Sequence, residues 1–411
     1  MALYNIITSN FAFGGYCVGK NSGKTVFVPF SLPDEELEVE ITESKKDYDV
    51  ARIVNILKPS PYRVTPVCPL YGKCGGCNMM HIENNYQIEL KKQVLRELFE
   101  KNKVKIPEIE VISGNPLGYR NRFQFHDGGL EKKGSNEIVF PDFCPVASQE
   151  INDYLKSTPA SERPEGRCQY FGAKNASPSM SVALPIEKRR AQTPYKALSQ
   201  KEKKNRGKHY IKPRFEGIND SDQCRITCDI KGRKIAFDAR GFFQSNLEVL
   251  KKTIDAVTAG LSGKNALDMY SGAGTFSVFL SDSFEKVTMV EHNRGAMVFA
   301  EENMAGRPHE SYGISGAQWV KSNAAGIIAQ NGNFDAIVID PPRSGMEKEV
   351  REWISQSRVP VIRAVSCDPA TQARDMSMLS DYQIEKLFLL DFYPQTSHIE
   401  TLLYCIHKDT L

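Results

Sequence analysis

The chain has no continuous apolar run near the ~18 residues that a membrane-spanning helix requires, so nothing in its 411 residues suggests a segment buried in lipid. Its opening stretch, MALYNIITSNF, lacks the basic start and unbroken apolar core of a secretory signal. A cytoplasmic protein is expected. Net charge is also small, formally +3, which by itself says little about nucleic acid. The ten cysteines are too sparse for the disulfide framework of a small secreted scaffold. In a reducing compartment, those that cluster point to metal binding or catalysis.

What is present is enough chain for two or three domains, with the apolar and charged fractions of an ordinary soluble protein. Residues 3 to 58 read as short strands between Gly and Asp turns: KTVFVPF, ELEVEIT and VARIVNIL each place apolar residues at alternate positions. That is the pattern of a small β-barrel. Pro59, Pro61, Pro66 and Pro69 punctuate a linker after it. From Asn84 to Lys103, Tyr86, Leu90, Val94 and Leu98 recur every four positions, the stripe of an amphipathic helix covering one side of a core. Residues 109 to 235 mix strand-like pieces into an α+β or β-rich unit whose topology the pattern does not resolve. Within it, residues 188–214 carry many Lys and Arg against one acidic residue, Glu202; the segment is either an attractor of phosphates or a solvated loop. After Phe243, short apolar strands alternate with helical stretches, the signature of a parallel sheet with helices on both faces and ligands at the carboxyl ends of its strands. The expected domains are 1–60, 61–235 and 236–411.

Candidate chemistry falls at those strand ends. In ALDMYSGAGTF a strand runs into a loop with Gly272 and Gly274 and then into a helix, a path that lets backbone approach a ligand closely. Strand KVTMV ends nearby in Glu291, placed to accept the hydroxyls of a ribose. The loop lacks the full GxGxxG fingerprint, so an adenosyl ligand without a pyrophosphate fits better than a dinucleotide. Asp340, followed by two prolines and Arg343, closes strand FDAIVI on the same rim; a helix start with Pro in its first turn is the alternative. Strand VPVIRAV ends at Cys367, where Asp368 and Pro369 signal that the strand is over and favour exposure of the thiol to the crevice. Glu400, with His398 before it, lies at another strand. A thiol nucleophile and a carboxylate base are the pair these positions offer.

Cys68, Cys74 and Cys77 put three thiols in one short loop with Gly75 and Gly76 between two of them. A closed site needs a fourth ligand. Zinc and iron–sulfur clusters both accept four cysteines, and local spacing does not choose between them. Cys144 is favoured over Cys168, Cys224 and Cys228, though spacing alone barely separates them.

Taken together, these residues resemble the RNA uridine-5 methyltransferase family, and within it the iron–sulfur branch that acts on 23S ribosomal RNA. The likeness covers the chain: GKTVFVPFSLPDEELEVEI resembles a TRAM barrel, and CPLYGKCGGC, GYRNRFQFH, DFCPV, FFQSN, LDMYSGAGTF, DPPRSG, SCDPAT and SHIET follow in the family's order. The resemblance implies an α/β fold: a Rossmann-like S-adenosylmethionine-dependent methyltransferase domain, an N-terminal TRAM/OB-like barrel that binds RNA and a central α+β iron–sulfur domain. It implies a 4Fe–4S cluster on Cys68, Cys74, Cys77 and Cys144, Cys367 as nucleophile and Glu400 as base. For S-adenosylmethionine it points to Gln244, Tyr270, Glu291 and Asp340, with Gly272, Gly274, Thr275 and Asn323 as weaker correspondences. Carbon 5 of uracil is a poor nucleophile; addition of a thiolate at carbon 6 makes it reactive, and a base must then remove the carbon-5 hydrogen. Asp368 departs from the family's usual Asn, and segment 188–214 has no quoted counterpart. The partner implied is folded RNA, 23S rRNA above all, with the target base flipped into the pocket and the enzyme a monomer without membrane contact. A transfer-RNA T-loop methyltransferase is the alternative within the class, argued against by barrel and cluster. A non-catalytic iron–sulfur RNA-binding factor is the alternative outside it.

Overall fold

The computed structural model of the protein describes residues 2–184 and 224–410; the basic segment 188–214, and the RNA contact expected of it, lie outside the described residues. Residues Leu3 to Lys58 form one six-stranded sheet in the order Leu3–Ile7, Glu36–Ser44, Tyr48–Lys58, Lys24–Pro29, Tyr16–Asn21, Phe11–Ala12. Alternation along its strands sends Val26, Val28, Leu37 and Val39 inward with Ile6 and Ala51. The sheet curls, because just past the first strand Ser9 N–H donates to the Val18 carbonyl at 2.7 Å and Val18 N–H donates to the Asn10 carbonyl at 3.0 Å. The expected barrel is therefore a curled sheet brought round on itself.

The second half is built on eight strands in the order His309–Tyr312, Phe284–Val290, Gly263–Met269, Ala336–Ile339, Val361–Ser366, Glu400–His407, Tyr382–Leu390, Ile109–Ile112. Only Glu400–His407 runs against its neighbours. Alternate residues feed two cores: Ala266, Val287, Met289 and Val338 face one side with helix Leu247–Thr258, and Leu267, Met269, Ile337 and Ile339 face the other with helices Asn84–Lys101 and Lys348–Ser357. A sheet covered on both faces has near-continuous apolar strands. From Gly263–Met269 the chain fills strands first on one side and then on the other, and this reversal opens a crevice beyond the strand's carboxyl end.

Two findings differ from the pattern read in the sequence. Helix Asn84–Lys101 buries Gln87, Leu90, Lys91, Val94, Leu95 and Phe99, the 3.6-residue repeat, so Tyr86 and Leu98 drift to the margin of its contact face. This helix and strand Ile109–Ile112 also belong with the eight-stranded sheet, although the expected boundaries put them in the unit 61–235. The edge strand Tyr382–Leu390 offers unpaired backbone groups, and Leu387 to Leu390 take Ile109 to Ile112 as parallel partners. What remains of the central region is α+β: strands Met180–Ala183, Arg167–Gly172 and Arg122–His126 under helix Gln149–Ser157, and a second sheet of Ala176–Ser177, Arg225–Ile230 and Arg233–Asp238. Among the described residues, no helix is long and apolar enough to cross a membrane.

Candidate active site

The glycine loop is shaped by its backbone. Tyr270, Gly272 and Gly274 have φ of +66°, +56° and +75°, a left-handed path that glycine takes freely and a tyrosine only at a cost of about 1–2 kcal/mol. The amides of Tyr270 and Ser271 both donate to the Val290 carbonyl, at 2.8 and 3.1 Å. This folds the loop against the end of the next strand, where the Glu291 carboxylate accepts Gly272 N–H at 3.1 Å and Asn293 N–H at 2.6 Å. A Cβ on Gly274 would stand 3.2 Å from Ala300 Cα, whereas one on Gly272 would meet nothing within 4 Å. A side chain at Gly274 would be crowded by Ala300 and strained at its positive φ, whereas Gly272 borders open space. Thr275 opens helix Thr275–Leu280. The Tyr270 hydroxyl donates to Glu347 at the cap of helix Lys348–Ser357, which ties its ring to that helix. Asn323 sits in the π-helical turn Val320–Ala324, with no hydrogen bond to the glycine loop or to Glu291.

Buried polar atoms are nearly always paired. Gln244 Oε1 in FFQSN, and Asp268 Oδ1 and Ser271 Oγ at the glycine loop, are buried without a partner among the described residues. They are the atoms a polar ligand would satisfy. The crevice also gathers carboxyl groups. Burial pushes Asp268 up to about 7, with Glu291 adding to it and the Ser277 hydroxyl, 2.5 Å away, opposing it. Asp340 is pushed up to about 7 by burial and by Asp268 and Glu291, and Glu400 up to about 8 by burial and by Asp340. Carboxylates that repel one another in a low-dielectric cleft favour a positively charged occupant. S-adenosylmethionine, with a sulfonium and an ammonium group, fits that donor set.

Cys367 follows strand Val361–Ser366, and Glu400 begins the antiparallel strand beside it. Their last pair is Ser366 with Thr401, so Cys367 lies just past that pair on one strand and Glu400 just before it on the other. The two residues act on each other: burial, then Glu400 and Asp340, push the half-buried Cys367 thiol up to about 11, while Arg343 opposes them. Asp368 has a structural task. Its side chain caps helix Pro369–Ser377, accepting Thr371 N–H at 2.9 Å, and Asn and Asp serve about equally at that position.

Several neighbours of this pair were given no role by the sequence reading, or were not named in it. Arg343 opposes the rise of both the thiol and Glu400; a guanidinium just past a strand-end Asp-Pro-Pro was the available signal. His398 is held neutral, pushed down to about 4 by burial and by Arg343, Arg120 and Lys91. The Arg120 guanidinium lies 5.8 Å from the Tyr393 ring centre and 4.6 Å from that of Phe123. Nothing in the sequence signals that residues so far apart meet. Carboxyl groups thus line the crevice, and Arg343, Arg120 and Lys91 act on its neighbourhood.

A separate cavity brings Cys68, Cys74, Cys77 and Cys144 together, walled by Tyr71, Met80, Phe123 and Val146 and by Arg120. Cys168 and Cys228 are buried elsewhere, in strands. Burial pushes the Cys77 thiol up to about 12 and raises Cys74 and Cys144. Among the described residues, no three Cys, His, Asp or Glu side chains are arranged to close on a single metal ion.

A family model described as tRNA (Uracil-5-)-methyltransferase matches residues 317–408, and a TRAM domain model matches residues 6–54. A relative from Treponema denticola called an uncharacterized RNA methyltransferase is 34% identical, covering 96% of this chain and 97% of its own. A 23S rRNA (uracil(1939)-C(5))-methyltransferase from Salmonella choleraesuis is 30% identical over 95% of this chain and 93% of its own. The chain belongs to the RNA uracil-5 methyltransferase family. Its fold is that of an S-adenosylmethionine-dependent methyltransferase with an N-terminal TRAM domain. The crystal structure of Pyrococcus abyssi tRNA (uracil-54, C5)-methyltransferase in complex with S-adenosyl-L-homocysteine is similar at a TM-score of 0.70 and 24% identity, covering 97% of this chain and 99% of that one. A tRNA (uracil(54)-C(5))-methyltransferase from Pyrococcus abyssi is 28% identical over 92% of this chain and 95% of its own, so likeness over the whole chain does not separate a 23S rRNA substrate from a tRNA one.

Proposed function

We propose that this family member transfers the methyl group of S-adenosylmethionine to carbon 5 of a uridine in 23S rRNA, acting as a monomer in the cytoplasm. In this reading Cys367, its thiol proton released to solvent as the RNA binds, adds through Sγ to carbon 6, breaking the 5,6 double bond and leaving an enolate whose carbon 5 is nucleophilic. When bound, S-adenosylmethionine supplies the methyl group. The Glu400 carboxylate then takes the carbon-5 hydrogen as a proton, the double bond re-forms, and the bond to Sγ breaks. The single observation that carries this is that Cys367 and Glu400 flank the Ser366–Thr401 pair, near enough for Glu400 to act on the thiol, next to a carboxylate-lined crevice. A carboxyl near 8 suits a base at cellular pH, since the best catalytic pKa lies close to the working pH.

Gln244, Asp340, Glu291 and the loop of Tyr270, Gly272, Gly274 and Thr275 form the cofactor site in this reading, with Asn323 at its edge. What supports it is the set of orphaned polar atoms and the carboxyl-rich lining. Cys68, Cys74, Cys77 and Cys144 would hold a 4Fe–4S cluster, supplying cross-links that fasten the central unit. The support is that the four thiols line one cavity. The competing substrate is tRNA, favoured by the full-length likeness to the archaeal enzyme. Mapping 5-methyluridine in total RNA from cells with and without the protein tests the choice. Loss at one site in 23S rRNA is expected, and loss confined to tRNA overturns the substrate. Cys367→Ala should abolish turnover; unchanged turnover would end the covalent mechanism, and no turnover in the wild-type protein would favour the non-catalytic alternative.

A further inference from the structure

The loop between strands Tyr382–Leu390 and Glu400–His407 carries Tyr393 and His398 and leads directly into Glu400. It is held almost residue by residue from outside. The Phe392 carbonyl accepts Asn246 Nδ2 at 3.3 Å, that of Tyr393 accepts Lys91 Nζ at 3.2 Å, and that of Pro394 accepts the Tyr119 hydroxyl at 2.9 Å. The Gln395 carbonyl accepts the amides of Asn78 and Met79 at 3.1 and 3.0 Å, and its own N–H donates to Gln87 Oε1 at 3.0 Å. Gln395 has φ +66°. A non-glycine residue keeps that conformation only when its surroundings over-determine it, and such residues gather at functional sites.

The last tie is two-way. Ser397 N–H donates to Asn78 Oδ1 at 2.8 Å, and Asn78 Nδ2 donates to Ser397 Oγ at 2.9 Å. The Gly14–Gly15 turn of the N-terminal sheet closes on the same spot: a Cβ on Gly15 would stand 2.5 Å from Asn78 Nδ2 and 2.8 Å from Ser397 Cβ. Asn78 is therefore a joint where the RNA-binding sheet, the cysteine loop and the base-bearing loop meet.

We infer that Asn78 is a positioning residue for the elimination step: by fixing Ser397 it sets the turn that delivers Glu400, and the Gly15 turn locks that setting from the N-terminal sheet. Addition at Cys367 draws on a different strand and depends on this joint only through the charge of Glu400. The inference rests on the assignment of Glu400 as base. Loosening the joint should slow proton removal more than addition or methyl transfer, so the methylated covalent complex should accumulate.

The test uses the full chain with an unmodified 23S rRNA transcript and S-adenosylmethionine, measuring turnover, cofactor affinity, melting temperature and the fraction of enzyme in a denaturant-stable complex with methylated RNA. Asn78→Ala removes both hydrogen bonds to Ser397 and the one Asn78 Nδ2 donates to the Gly14 carbonyl at 3.5 Å. Gly15→Ala leaves every polar group in place, wedges the joint from the other side, and decides the matter if Asn78→Ala fails to fold. Both variants should lose on the order of tenfold in turnover, keep wild-type cofactor affinity, and accumulate the complex. Lower melting temperature and turnover without the complex would show a merely structural role and overturn the inference. Glu400→Gln is the parallel arm. If it too fails to accumulate the complex, the base assignment is at fault; if it accumulates the complex and the two joint variants do not, the positioning role alone fails.

Discussion

Alkylation of Cys367 tests the electrostatics of the site without RNA or cofactor. Burial, Glu400 and Asp340 together push the thiol up to about 11, so at pH 8 about one molecule in a thousand carries the thiolate, against about a quarter of an ordinary thiol near 8.5. A more basic thiolate is intrinsically more nucleophilic, and a Brønsted slope of 0.4–0.5 recovers about tenfold of that deficit. Iodoacetamide should therefore modify Cys367 roughly 20-fold more slowly than an unperturbed thiol at pH 8, with a rate that keeps climbing towards pH 11. Above pH 8, Glu400 is ionised and its charge opposes the thiolate. Glu400→Gln should therefore shift the inflection to lower pH, and Arg343→Met to higher. The assay is peptide mass spectrometry of the Cys367 fragment over a pH series. An inflection near 8.5 in the wild-type protein, or the same inflection in all three, would refute the reasoning. If Cys367 is the nucleophile, the raised thiol predicts that its activation accompanies substrate binding.

Glu400→Gln should reduce turnover by about 10²–10⁴-fold, the usual worth of a positioned base, while single-turnover methyl transfer to RNA persists; rapid-quench kinetics separates the two. The affinity for S-adenosylmethionine should rise as pH passes upward through about 7, because Asp340 gains its charge there and attracts the sulfonium; calorimetry should find that slope flattened in Asp340→Asn and for S-adenosylhomocysteine. Lys91 and Asp391 form a buried ion pair at 2.7 Å, so Lys91→Met should cost about 3–5 kcal/mol by stranding the partner's charge, and pairing it with Asp391→Leu should restore much of the loss in denaturant melts. Gly274→Ala should weaken cofactor binding and lower the melting temperature, because the new Cβ meets Ala300 at φ +75°.

The strand-end motifs were legible because a parallel sheet collects the carboxyl ends of its strands on one rim: Gly272, Glu291, Asp340 and Cys367 each follow a short apolar strand. The alternation Val26, Val28, Leu37, Val39 likewise revealed the N-terminal sheet, although curling depends on the Ser9 and Val18 bonds, which leave no mark on the pattern. Strand Ile109–Ile112 was not assigned to the catalytic sheet, since an edge strand is recruited by tertiary contact and its four residues carry no period long enough to read. The approach of Cys367 and Glu400 needed an antiparallel register, and the clamp on the 391–399 loop needed partners drawn from residues 78 to 246. Convergence of Cys144 on the first three thiols is also a matter of folding, not of spacing.

The central claim is a transient carbon–sulfur bond between this protein and its RNA. It is tested most directly by quenching a single turnover with acid, digesting the complex with protease and nuclease, and sequencing the nucleotide-bearing peptide by mass spectrometry. A methylated, saturated uridylate on Cys367, absent from Cys367→Ala, is the predicted result; turnover with no such peptide, or a nucleotide attached to another cysteine, would contradict it.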